Sequence, residues 1–163
     1  MSLSSAASTT RGSAIPGTPV VSRKPLGGRP QAAGSSALPE RTTRRIIRAV
    51  LAGERKAADI SVIFLGPTRM RRLNRDWKGH DLPTDVLSFA LPLPGGGLTG
   101  EVYICAAVAR AEARAHGVSL REELIRLVIH GTLHVLGYDH SEGTGRTRSA
   151  MWRQQERYVK ALA

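Results

Sequence analysis

Apolar and polar positions alternate along this chain at two spacings, and the switches between them mark out its elements. Ile46, Ile47, Val50 and Leu51 recur at helical spacing between Arg41, Arg44, Arg45 and Arg48, which predicts an amphipathic helix over residues 40–53 ended by Gly53. Ile60 to Leu65 (ISVIFL) is a β-rich run stopped by Gly66-Pro67, hence a strand. Pro67 then opens a second helix that turns Met70, Leu73 and Trp77 inward and shows Arg69, Arg71, Arg72 and Arg75 on its other face. After a loop rich in breakers (KGHDLPT, Lys78–Thr84), Asp85–Phe89 reads as a strand, Leu91–Gly100 as a flexible hairpin-like connection, and Glu101–Cys105 as a returning strand. Cys105–Ala115 is an alanine-rich helix closed by His116-Gly117, with His116 at the negative pole of the helix dipole. Ser119 and Glu122 form the S-x-x-E pattern of a capping box and start a further helix, which Leu124, Leu127, Val128, Leu133, Val135 and Leu136 can bury. Residues 141–147 form a loop, and Arg148–Leu162 closes the chain as a helix packed through Met151, Trp152, Tyr158, Val159 and Leu162. Strands separated by helices give an α+β domain with one small mixed β-sheet packed by helices.

Residues 1–39 follow neither spacing. They are rich in Ser, Ala, Gly, Thr and Pro, and carry Arg11, Arg23, Lys24 and Arg29 without a single acid. Such a segment buries too little apolar surface to offset its ordering entropy, so a disordered basic extension is expected, with Thr18–Val21 as its one candidate edge strand. An organellar transit peptide shares that composition, whereas the apolar core of a secretory signal is missing. Residues 40–163 then form one domain, as many as a chain of 163 residues accommodates.

Charge changes the picture further. The chain carries 24 basic and 13 acidic residues, a formal charge of +11. Four of the basic residues lie in the extension, so 20 against 13 remain in the domain, which keeps a net charge of about +7. An excess of this size predicts an anionic partner, most simply a nucleic acid. The arginine face of the second helix is then either a solvated surface or a phosphate-tracking one. Cys105 stands alone and can form no internal disulfide, which fits a reducing compartment and a small buried hydrophobe. No run of 18 apolar residues occurs, so no membrane span is expected.

Chemistry concentrates in Leu127–His140 (LVIHGTLHVLGYDH), which holds His130, His134 and His140 of the five histidines. On a helix, residues four apart stack on one face about 5–6 Å apart at Cβ, so His130 and His134 form a metal clamp. Gly137 sits where the helix would end and can reverse the chain, letting His140 swing back as a third ligand. Imidazole donors without thiolates favour Zn²⁺. Three protein ligands leave the fourth tetrahedral position open, as in catalytic rather than structural zinc sites, and water there is acidified to a pKa of about 7. The spacing HxxxHxxGxxH is that of zincin-like metalloproteases, except that Gly131 replaces the glutamate that serves there as general base.

HGTLHVLGYDH at His130–His140 closely resembles the HGxLHLxGYDH signature of the YbeY family of bacterial and organellar rRNA maturation factors. PTDVLSF at Pro83–Phe89 matches a second hallmark of that family, and GEVYI at Gly100–Ile104 is similar to its GDIxI strand, so the resemblance spans residues 40–162. It implies a single-domain α+β fold and a zinc-dependent, single-strand-specific endoribonuclease with one Zn²⁺ per chain. It further implies roles in 16S rRNA 3′-end maturation, late 30S assembly and ribosome quality control. Single-stranded RNA, the 30S subunit and ribosomal proteins are then the partners, in the cytoplasm, or in an organelle if the extension is a transit peptide. The family commonly has an arginine where Lys78 stands; lysine keeps the charge but not the bidentate fork. The long acid-free N-terminus is a second departure.

Without a glutamate at Gly131, peptide hydrolysis is disfavoured, whereas a phosphodiester carries charge that Zn²⁺ and Lys78 can neutralise. Lys78 and Asp139 are the candidate catalytic residues: Lys78 steadies the phosphate, and Asp139 either orients a ligand imidazole, relays a proton or is a turn residue after Gly137. His80 is either an accessory polar group near the cleft or a solvent-exposed loop residue, and Thr84 and Asp85 either shape the cleft floor or cap the strand. The rival readings are a metal-dependent hydrolase of another substrate and a non-catalytic ribosome-assembly factor with a structural metal.

Overall fold

Eight elements follow one another in the computed structural model, which describes residues 37–139 and 149–163. They are α1 (Glu40–Glu54), β1 (Asp59–Leu65), α2 (Pro67–Lys78), β2 (Val86–Pro92), β3 (Leu98–Cys105), α3 (Ala106–His116), α4 (Leu120–Val135) and α5 (Ala150–Leu162). The expected α+β class with a small mixed sheet is what forms. Most of the expected extension, the Thr18–Val21 strand, His140, the 141–147 loop and Arg148 lie outside the described residues.

The sheet has the order β1-β3-β2, with β1 parallel and β2 antiparallel to β3. Because strand side chains alternate between faces, this register sorts the apolar residues into two layers. Val62 and Ser88 flank Val102, and Phe64 and Val86 flank Ile104, on one face. There they join the main core with Ile46, Val50, Leu124, Val128, Met151 and Val159 from α1, α4 and α5. Leu87, Tyr103 and Cys105 point to the other face, where Met70 and Leu73 of α2 close a smaller core. Trp77, Phe89 and Tyr103 extend it through edge contacts, with ring centroids 5.3 and 5.9 Å apart. Cys105 is buried, as its apolar surroundings predict.

Two glycines let α4 sit unusually low on the sheet. A Cβ at Gly131 would overlap Val102 Cγ1 and lie 3.0 Å from Ser88 Oγ, and a Cβ at Gly100 would lie 2.5 Å from Val135 Cγ1. With Gly131 aimed into the strands, His130 and His134 fall on the flank of α4, both half-buried. No helix among the described residues is long and apolar enough to cross a membrane.

Several expectations need correction. Residues 91–100 are a real hairpin rather than a loose connection: β2 runs on to Pro92, β3 begins at Leu98, and Leu91 pairs with Thr99. Pro92 is tolerated because β2 is an edge strand, where a missing N–H costs no ladder bond. Trp152 is 37% exposed rather than packed; the buried stripe of α5 is Met151, Gln155, Tyr158 and Val159, and Trp152 stands beside it. The capping box is half formed. Ser119 Oγ accepts from Glu122 N at 3.1 Å, but the Glu122 carboxylate accepts from Arg126 at 3.3 Å instead of reaching back.

Candidate metal centre

The histidine pair lies on the last two turns of α4. His130 Nε2 and His134 Nε2 are 3.1 Å apart, with ring centroids at 4.6 Å and planes inclined by 73°. A tetrahedral zinc ion, about 2.0–2.1 Å from each nitrogen, holds its ligand nitrogens roughly 3.3 Å apart. The pair therefore already has the separation that a shared cation needs. Its protonation is constrained from behind, because His130 Nδ1 lies 2.8 Å from Gln155 Oε1. An amide oxygen only accepts, so Nδ1 carries the proton and the Nε2 lone pair faces His134. The amide is not reversed, since Gln155 Nε2 donates to Glu156 Oε1 at 3.0 Å.

Past His134 the helix ends in a Schellman motif. Gly137 N donates to His134 O and Tyr138 N to Leu133 O, both at 3.0 Å, and Gly137 takes the left-handed φ of 92° that the motif demands. The predicted chain reversal is thus present, and it delivers Tyr138 to a second polar cluster. Tyr138 Oη donates to Glu54 Oε2 at 2.5 Å, while Tyr158 Oη donates to Glu54 Oε1 at 2.7 Å and the Gln154 amide donates to the same oxygen. Burial pushes the Glu54 carboxyl up, but these three hydrogen bonds and the Arg157 charge outweigh it and hold the group below its ordinary value. Glu54 thereby ties α1, the exit from α4 and α5 together one residue before Asp139. Among the described residues no three His, Cys, Asp or Glu side chains converge on one point; His140, the expected third ligand, lies outside them. The two candidate ligands that are described fit a zinc ion in donor type and separation, and His130 also in tautomer.

Lys78 is placed differently. It ends α2, is exposed, and α2 covers the sheet face opposite α4. The loop after it is pinned rather than loose: Arg71 grips Asp81 through two bonds of 2.9 and 2.7 Å, and Asn74 Nδ2 donates to Leu82 O at 2.8 Å. That loop leads to β2, against which α4 packs. His80 is exposed in the same loop. Asp85 caps its strand, accepting from Val86 N at 2.8 Å and from Thr84 Oγ1 at 3.0 Å. Asp139 is exposed directly after the Tyr138 anchor.

Sequence patterns missed Glu54 and Gln155. Glu54 carries no local signal beyond its place at a helix end. Gln155 does: it is a polar residue on the apolar stripe of α5, between Met151 and Tyr158, and only 3% exposed. The arginines also sort differently than expected. On α2, Arg71 and Arg75 are engaged by Asp81, and Arg72 and Arg75 by Asp76. On α1, Arg44 pairs with Glu40, while Arg41, Arg45 and Arg48 line the same shallow exposed surface with no ion pair among the described residues.

Residues 32–163 match the family described as Endoribonuclease YbeY. The chain is 40% identical over 118 residues to the Endoribonuclease YbeY of Chlorobaculum tepidum, covering 72% of this chain and 84% of that protein. It is 41% identical over 122 residues to that of Desulfitobacterium hafniense, covering 69% and 76%. The fold is similar to the solution structure of TM1509 from Thermotoga maritima, with a TM-score of 0.57, 29% identity, and 81% and 85% of the two chains covered.

Proposed function

The chain belongs to the YbeY endoribonuclease family, and from that premise we propose that it is a zinc-dependent endoribonuclease of single-stranded RNA, acting in 16S rRNA 3′-end maturation, late 30S assembly and ribosome quality control. The observation that carries the reading is the 3.1 Å approach of His130 Nε2 and His134 Nε2, with the far side of His130 occupied by Gln155. His140 completes the ligand set, three residues after Gly137 turns the chain back. A zinc ion held there supplies Lewis-acid polarisation of a phosphoryl oxygen and acidification of an attacking water.

The remaining work falls to the protein's own side chains. His130 and His134 present imidazole nitrogens as the donors to the cation. Lys78, at the end of α2 where the pinned loop leading to β2 begins, supplies positive charge to the phosphate as it gains charge in the transition state. Asp139 is exposed directly after the Tyr138 anchor, within two residues of the Gly137 turn, and serves as a proton relay or as a partner that orients a ligand imidazole. Gly131 disfavours the protease arrangement for a packing reason beyond its missing carboxylate. A Cβ at this position would point at Val102 and Ser88 on the sheet. The α1 arginines supply the surface along which an RNA backbone is held.

The test pairs metal content with cleavage of a single-stranded rRNA 3′ fragment, in the wild type and in His134→Ala. About one zinc per chain in the wild type, with metal and cleavage lost together in the variant, is the expected result. Zinc without cleavage in the wild type would favour the assembly-factor reading with a structural metal. A wild type that binds no metal would sink the proposal.

A further inference from the structure

We infer that Gln155 is a positioning residue for the metal centre: its side-chain carbonyl holds His130 in the Nδ1–H tautomer and aims the Nε2 lone pair at the cation position. The inference rests on the metallo-nuclease reading above and extends it to a residue on a different helix. A neutral imidazole has two tautomers, and only the one protonated at Nδ1 leaves Nε2 free to ligate. The 2.8 Å contact from His130 Nδ1 to Gln155 Oε1 selects that tautomer, because the amide oxygen has no proton to offer.

What makes Gln155 a rigid partner is the chain of contacts behind it. Gln155 Nε2 donates to Glu156 Oε1 at 3.0 Å, which fixes the amide's orientation. Arg126 Nε donates to the same oxygen at 3.2 Å and its Nη2 to Glu156 Oε2 at 3.4 Å. Arg126 is held in turn by Glu122 at 3.3 Å and Glu123 at 3.2 Å, both on the helix that carries the histidines. The path therefore begins in the first turn of α4, crosses to α5 from Arg126 one turn on, and returns to α4 at His130. Every polar atom of the Gln155 amide that these contacts use is spent on orientation, and none is turned to solvent, since the residue is 3% exposed. Partners that hold the far nitrogen of a ligating histidine typically contribute 10–100-fold in metal affinity.

The test uses the full chain, with Zn²⁺ as probe. Affinity is measured by competition with a chromophoric chelator for the wild type, Gln155→Leu and Gln155→Glu, and long-range ¹H–¹⁵N NMR reads the His130 tautomer after zinc is removed. Gln155→Leu is expected to bind zinc about 10–100-fold more weakly and to show both tautomers. Gln155→Glu, which keeps an acceptor at the same place, is expected to retain the Nδ1–H tautomer and to bind at least as tightly as the wild type. Equal affinities for wild type and Gln155→Leu overturn the inference and leave the metallo-nuclease reading standing. A wild type that takes up no zinc overturns that reading and this one with it. Should the leucine variant not fold, the wild-type spectrum decides: an Nε2–H tautomer at His130 overturns the inference by itself.

Discussion

Gly131 shows how one missing side chain sets the geometry of a site. Glycine inside a helix costs up to about 1 kcal/mol relative to alanine, so its presence in the fourth turn-length of α4 needs a compensating gain. The gain is close approach. Val102 is fully buried beneath it, and a β-branched side chain in a strand has little rotamer freedom with which to move aside. Overpacking typically costs about 1–3 kcal/mol, which exceeds the helix-propensity benefit of a methyl. Gly131→Ala is therefore expected to be destabilised by about 1 kcal/mol in urea unfolding, with weaker zinc uptake as α4 lifts from the sheet. A variant more stable than the wild type would show that the approach is not tight. Sequence alone marked Gly131 only as the absence of a glutamate; that it is a packing requirement depends on Val102 and Ser88, which are 29 and 43 positions away in the chain.

Helices α1 and α2 both present arginines, yet their electrostatics differ. The α2 arginines are largely committed to Asp76 and Asp81, and the Arg71 hydrogen bonds hold the Asp81 carboxyl below its ordinary value. Arg41, Arg45 and Arg48 on α1 have no such partners among the described residues, and like charges three or four apart on a helix repel. A phosphate backbone relieves that repulsion. Replacing Arg41, Arg45 and Arg48 by alanine is expected to lower the slope of log affinity against log salt for single-stranded RNA by about 2, at roughly 0.7 per phosphate contact. The Arg71→Ala, Arg75→Ala pair is expected to change that slope much less. Equal changes in a filter-binding salt titration would return the RNA track to α2. The arginine runs were legible in the sequence because helical spacing exposes them. Their difference was not, because it is decided by Asp81 in the following loop and by Asp76, which a helical wheel places near Arg72 without saying that the pair forms. The hairpin at residues 91–100 was misjudged for a related reason. Local rules count Pro92 and three successive glycines as breakers, whereas strand pairing and an edge position accommodate them.

Across the whole molecule, Glu54 carries the acid dependence most directly tied to the site. Its carboxyl is held below its ordinary value in the fold, so the folded state prefers the ionised form. Stability from this group is present above the unfolded value near 4.5 and lost as pH falls through the lower, folded one. Glu54→Gln is expected to be less stable than the wild type near neutrality, with the gap closing in urea titrations below about pH 4.5. Parallel curves for the two proteins would remove Glu54 from this role. Fold class, the order of the elements and the His130–His134 pair were readable because each depends on spacings of two to four residues. The supports of the pair were not, because Tyr138, Gln154 and Tyr158 meet Glu54 across 84, 100 and 104 residues of chain.

Those separations also give the site an order of completion. Synthesis runs from the N-terminus at about 5–20 residues per second, and Gln155 follows His130 by 25 residues. For some seconds a growing chain holds both histidines but neither the amide that orients one of them nor the tyrosine on α5 that anchors Glu54. A chain interrupted between α4 and α5 carries the histidine pair without these α5 supports. Completion of α5 is thus a built-in check: the histidine pair is fully braced only after Gln155 and Tyr158 have been added to the chain.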